Sequence, residues 1–114
     1  MMDENDEEQG STFFPCPYLG GLADLNDERE RHIRDGHGEL LPERVELIEL
    51  TLAAPERIQR KIPDDNSLQF CRWYQDLGKY VVVAVVNDSR PRKWIVTAYV
   101  THRLPRGEII WQRD

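Results

Sequence analysis

Thr97, Tyr99 and Thr101 stand two residues apart in the stretch Trp94-Ile95-Val96-Thr97-Ala98-Tyr99-Val100-Thr101. Successive side chains of a β-strand point to opposite faces. The alternation therefore predicts a strand with three hydroxyls in a row on one face, after Ile95. Trp94, Val96, Ala98 and Val100 form the opposite, core-facing set. At roughly 6.6 Å between successive hydroxyls, the row is a polar ladder able to hold an extended polar ligand. A plain solvated face has the same pattern, since threonine and tyrosine are good strand formers. Histidines and arginines elsewhere weigh toward a ligand. His32 and His37 lie five apart in Arg31-His32-Ile33-Arg34-Asp35-Gly36-His37-Gly38-Glu39. Zinc helices instead place histidines four apart with a glutamate between, so this pair does not read as a metal site. His37, flanked by two glycines in a connection, suits a reactive or ligand-contacting role. His32 fits a capped or core-edge position as well as a catalytic one. His102 follows Thr101 on the opposite parity and reads as structural or exposed.

The chemistry consistent with these residue types is RNA cleavage without a metal or other cofactor. The 2′-hydroxyl attacks the neighbouring phosphate, leaving a 2′,3′-cyclic phosphate and a 5′-hydroxyl. The reaction needs a proton acceptor, a proton donor and cations for the crowded phosphorane charge. Histidine carries protons near neutrality. Arginine stays charged and binds phosphate through two donors. Threonine hydroxyls can donate to non-bridging oxygens. The sequence holds no Ser/His/Asp set, P-loop or dinucleotide fingerprint that argues for another chemistry.

The elements that must position these residues follow from periodicity and breakers. Residues 1–12 are polar and acidic and are expected to be disordered. Residues 13–26, with Pro15, Pro17, Gly20 and Gly21, read as an irregular lead-in. A helix is expected from about Asp27 to Asp35, capped by Asn26 or Asp27 and stopped by Gly36. A second helix is expected from near Pro42 to Ala53, with Leu41, Val45, Ile48 and Leu52 at helical spacing. Strands are expected over residues 57–62, 68–75, 80–86 and 94–101, with a short edge strand near 108–112. The class read from this order is α+β: two N-terminal helices packed on one face of a four- to five-stranded antiparallel meander, within one domain over residues 27–114. The other face is then free for a ligand. Arg57, Gln59 and Lys61 share a parity opposite to Arg60. Arg72 and Tyr74 share a face with Leu68 and Phe70; alternation leaves open which face of that strand is core. An open face bearing Thr97, Tyr99, Thr101 and several arginines suits a phosphate backbone and stacked bases.

The net charge of −6 over 114 residues is uneven. Residues 1–8 carry −5, residues 9–55 carry −5 and residues 56–114 carry +4. A basic sheet beside acidic helices hints at a polyanion partner. The longest apolar run, Tyr80 to Val86, is too short to cross a bilayer, and the acidic N-terminus is not a secretory signal, so no membrane association and a cytoplasmic setting are expected. Two isolated cysteines, Cys16 and Cys71, make neither a zinc pattern nor a disulfide framework.

The order of motifs resembles the phage-type branch of the Barnase–EndoU–colicin–RelE (BECR) nuclease superfold. The matching pieces are Glu30-Arg31-His32-Ile33 and Gly36-His37-Gly38-Glu39, then Leu52-Ala53-Ala54-Pro55-Glu56-Arg57-Ile58 leading into a strand. Phe70-Cys71-Arg72-Trp73-Tyr74, the valine strand 81–86 and Ile95-Val96-Thr97-Ala98-Tyr99-Val100-Thr101 complete them. The resemblance spans residues 27–113. It implies metal-independent ribonuclease activity in a domain of the kind found as toxins or in phage proteins, acting on RNA and held by a protein inhibitor. It implies catalytic positions at His32 or His37, at Arg57 or Arg60, and at Thr97 and Thr101. It implies substrate binding by Tyr99, joined on the residue reading by Arg72, Tyr74 and Lys61. Two other readings stand beside it: a non-catalytic nucleic-acid- or protein-binding module using the same open face, and an assembly protein with Trp94 or Trp111 as an interface anchor.

Overall fold

Residues 11–26 form a β-hairpin, not an irregular lead-in. The computed structural model describes residues 10–36, 38–61, 66–86 and 93–114. Strand β1 (Ser11–Cys16) and strand β2 (Gly21–Asn26) are joined by a 3-10 turn at Pro17–Leu19. Gly20 closes that turn at φ 78, donating its N–H to Pro17 O at 2.9 Å. A side chain is strained at that φ and glycine is not. Pro15 is accommodated because β1 is an edge strand, where proline's missing donor leaves no ladder bond unmade. Phe14, Cys16, Ala23 and Leu25 are buried by the hairpin's inner face.

Helix α1 (Asp27–Gly36) and helix α2 (Val45–Ala53) follow. Asn26 caps α1, its Oδ1 accepting from Arg29 N at 2.8 Å, with Asp27, Glu28 and Glu30 in the first turn. Ile33 is the one buried side chain of α1, whereas α2 buries Leu47, Ile48, Thr51 and Leu52. Strands β3 (Arg57–Lys61), β4 (Ser67–Tyr74), β5 (Lys79–Val86), β6 (Lys93–Thr101) and β7 (Gly107–Gln112) complete the chain.

The expectation of two N-terminal helices on a four- to five-stranded antiparallel sheet is corrected on three points. A hairpin precedes the helices. The sheet has seven strands, ordered β1-β2-β6-β5-β4-β3-β7. It is mixed, because β2 lies parallel to β6 with Ala23 opposite Lys93 and Asp24 opposite Trp94. The physical reason is edge coverage. The hairpin pairs with one flank of the β3–β6 meander, at Lys93 and Trp94 of β6, and β7 pairs with β3 along the other. Neither pairing involves neighbours in sequence, so no local pattern announces it.

Ile33, Ile48 and Leu52 form one buried cluster with Ile58, Phe70, Val83 and Ala98, which puts both helices on one face of the sheet. Each of these side chains other than Ala98 contributes about 1.5–3 kcal/mol by burial. The remaining buried hydrophobic sheet residues Cys71, Val82 and Ala84 lie outside this cluster, on the opposite face. Strand β6 departs from simple alternation. Val85 faces Ile95 while Ala84 faces Thr97, leaving Val96 as the extra residue of a bulge. The bulge turns Ile95 into the core and pairs Trp94 with Val86, so Trp94 and Ile95 exchange the faces that strict alternation assigns them. Among the described residues, no helix is long and apolar enough to cross a membrane.

Candidate functional site

The face opposite the helices is built from rows of cross-strand neighbours. One row runs Arg57, Cys71, Val82, Tyr99 across β3, β4, β5 and β6; the next runs Gln59, Gln69, Ala84, Thr97. The connection from β6 to β7, residues 102–106, must pass β5, β4 and β3 to reach its edge, and it does so over this face. Pro105 O accepts a 2.7 Å hydrogen bond from Gln59 Nε2, and that nitrogen also donates to Gln69 Oε1 at 3.1 Å. Gly107 makes this seat possible. A Cβ there would stand 2.7 Å from Arg60 O and 2.8 Å from Gln59 Nε2, closer than real Cβ atoms come.

The strap divides the face. On one side is a small depression of about 110 Å³ bordered by Arg57, Cys71, Tyr80 and Leu104. On the other is a cleft of about 410 Å³. Thr97, Tyr99 and the bulged Val96 line it from β6, Ser67 and Gln69 from β4, and Lys61 from β3, with Ala84 on its floor and Pro105 and Arg106 supplied by the strap. Arg34, Arg44, Arg60, Lys79 and Arg113 each pair with a carboxylate, at 2.8–3.2 Å. Among the described residues, neither Lys61 nor Arg106 does. Burial raises the Tyr99 phenol above its ordinary value, with the neighbouring Cys71 adding to the effect. At neutral pH Tyr99 therefore keeps its proton and is a donor. Burial also pushes the Cys71 thiol up to about 12, against the pull of Arg57, so it carries no thiolate there.

Of the residues singled out in the sequence, Lys61, Thr97 and Tyr99 meet in the cleft. Thr101 sits at the same strand's far end, opposite Tyr80, and its Oγ1 donates to Arg103 O at 2.8 Å and accepts from Arg103 N at 3.2 Å, a local turn lock. Arg57 borders the small depression. Arg60 shares the core-facing side of β3 with Ile58 and pairs with Glu108 at 2.8 Å. Arg72 and Tyr74 fall on the helix face. Arg72 donates to Ala54 O at 2.6 Å, capping α2. The Tyr74 hydroxyl bonds Thr51 Oγ1 at 2.9 Å and donates to Leu47 O at 3.1 Å. His32 is exposed on α1, which packs on the helix face through Ile33. His37 lies outside the described residues. Among those residues, no three His, Cys, Asp or Glu side chains gather as metal ligands do. Gln59, Gln69, Ser67 and Arg106 complete the site without having been singled out. Alternation on β3 puts Gln59 on the face of Lys61, a usable signal; nothing local brings Arg106 back across the sheet.

No protein-family model, curated protein or solved structure matches this chain.

Proposed function

We propose that the domain binds single-stranded RNA in the strap-bordered cleft and cleaves it by metal-independent transesterification, as its resemblance to BECR nucleases implies. The observation that carries the reading is the meeting, in one cleft, of two cations with no carboxylate partner among the described residues and three hydroxyl side chains, Ser67, Thr97 and Tyr99. Lys61 and Arg106 neutralise the scissile phosphate, and Arg106 can do so through two parallel donors. The Thr97 hydroxyl donates to a non-bridging oxygen, whose charge grows as the 2′-oxygen attacks phosphorus. Tyr99, held protonated by burial, supplies the proton taken up by the departing 5′-oxygen as the P–O5′ bond breaks. The 2′-hydroxyl proton needs an acceptor. No imidazole or carboxylate lines the cleft among the described residues; His37, a proton carrier that the resemblance implies, is tested by substitution. A second reading, in which the cleft holds RNA without cutting it, needs no such acceptor. Two buried free cysteines and an RNA ligand fit a cytoplasmic setting.

Incubation of the protein with single-stranded RNA and a chelator at low salt separates these readings. Cleavage leaving 2′,3′-cyclic phosphate ends, lost in Thr97→Ala and His37→Ala, supports the enzyme. RNA that is bound and stays intact supports the binding module. RNA neither bound nor cut rejects both.

A further inference from the structure

Strand β7 ends the strand order and, among the described residues, pairs with β3 alone. Its outer edge is therefore a row of backbone donors and acceptors able to take another strand. Proteins usually blunt such edges with proline or lysine. The strand at the opposite edge, β1, has Pro15. In β7, Gly107-Glu108-Ile109-Ile110-Trp111-Gln112, there is neither, and Ile109 and Trp111 are 48% and 37% exposed. Arg113 donates its N–H to Glu56 O at 3.0 Å, toward β3. Successive N–H groups of a strand point to alternate edges, so the N–H of Gln112 points outward, away from the sheet.

The strand is also complementary to itself in charge. Trp111 faces Ile58 and Ile109 faces Gln59, which leaves Ile110 as an extra residue. Strict alternation would put Glu108 and Arg113 on opposite faces; the extra residue puts both on the helix side. Glu108 lies there opposite Arg60, and Arg113 lies there with Ile58 and Ala53 around the apolar recess. A second, antiparallel β7 related by a two-fold axis sets Glu108 opposite the partner's Arg113, and Arg113 opposite the partner's Glu108. The ion pairs Arg60–Glu108 at 2.8 Å and Glu56–Arg113 at 3.2 Å within each chain then join into rows of alternating sign. Each row runs Arg60, Glu108, the partner's Arg113, the partner's Glu56. Between the two rows, Ile110 and Trp111 meet the partner's Trp111 and Ile110. An apolar centre holding a tryptophan, inside a charged rim, is the anatomy of a specific interface.

We propose that β7 is a self-association edge that pairs antiparallel with β7 of a second copy of this chain. The two seven-stranded sheets then run on as one, and the two strap-bordered clefts open on the same face. This pairing does not depend on what the clefts bind.

Sedimentation equilibrium of the whole protein at about 0.15 M salt tests it. The interface is small, so the mass is expected to rise from one chain to two over roughly 10–100 µM. Gln112→Pro removes the outward donor and leaves the ladder to β3 intact. Glu108→Arg and Arg113→Glu each set like charges opposite one another. Each of the three variants is expected to weaken association at least about 10-fold, with melting by circular dichroism showing that it is folded. An equal mixture of Glu108→Arg and Arg113→Glu is expected to regain the dimer, because unlike charges again face each other at both ends. Where Gln112→Pro does not fold, the charge variants and their mixture carry the test. A wild type that stays a single chain throughout overturns the inference and leaves the edge to a strand of some other protein. A dimer that survives Gln112→Pro and Glu108→Arg, or a mixture no more associated than its components, overturns it as well.

Discussion

Gly107→Ala tests how tightly the strap is locked to the sheet. The added methyl carbon would lie 2.7 Å from Arg60 O and 2.8 Å from Gln59 Nε2. The first is backbone, so relief requires β7 to move off β3 or the Gln59 amide to leave its seat. Overpacking of this kind costs about 1–3 kcal/mol. Displacing the amide also removes its bonds to Pro105 O and Gln69 Oε1, worth about 1 kcal/mol each. A total of about 3–5 kcal/mol follows. An unfolding entropy of about 2.1 cal/mol/K per residue, over 114 residues, makes one degree worth ~0.24 kcal/mol near the midpoint. Gly107→Ala should therefore lower Tm by roughly 13–21 °C in a calorimetric scan. Gly21→Ala is the matched control: nothing lies within 4 Å of its Cβ, and its Tm should stay within about 2 °C of wild type. A Gly107→Ala protein melting within about 3 °C of wild type would show that the strap yields cheaply and is no rigid wall of the cleft.

Lys61→Ala and Arg106→Ala should each weaken RNA binding and flatten the plot of log affinity against log salt by about 0.7. Arg60→Ala, whose guanidinium is engaged by Glu108, should leave that slope unchanged. Tyr74→Phe removes the hydroxyl that ties β4 to Thr51 and Leu47 of α2; it should cost about 1–2 kcal/mol in denaturant titration and leave RNA affinity unaltered. Burial raises the Cys71 thiol from 9.0 to about 12 and also raises the Tyr74 and Tyr99 phenols. The folded state thus holds these protons more tightly than the unfolded chain. Their contribution is complete below pH 9 and is lost as pH climbs toward 12, so Tm should fall across that range, less steeply in Cys71→Ala.

The parts of the site that follow strict alternation were legible in the sequence. Thr97 and Tyr99 share one face of β6, and Lys61 shares its side of β3 with Gln59, because nothing interrupts the period of two between them. Alternation failed at Trp94 and Ile95, where one bulged residue, Val96, reverses the faces. Arg72 and Tyr74 were legible as a pair, but only their contacts with α2 decide that they serve packing. The β2–β6 pairing and the return of the strap to β7 join residues far apart in sequence. No local period encodes them, and so the seven-stranded sheet, Arg106 at the cleft rim and the Gln59–Gln69 relay stayed hidden.

Chemical-shift mapping with an uncleavable single-stranded octamer tests the central claim most directly. Changes centred on Lys61, Gln69, Thr97, Tyr99 and Arg106 are the predicted result. Changes confined to α1 and α2, to the apolar recess between Tyr18 and Trp111, or to no residue at all would contradict it.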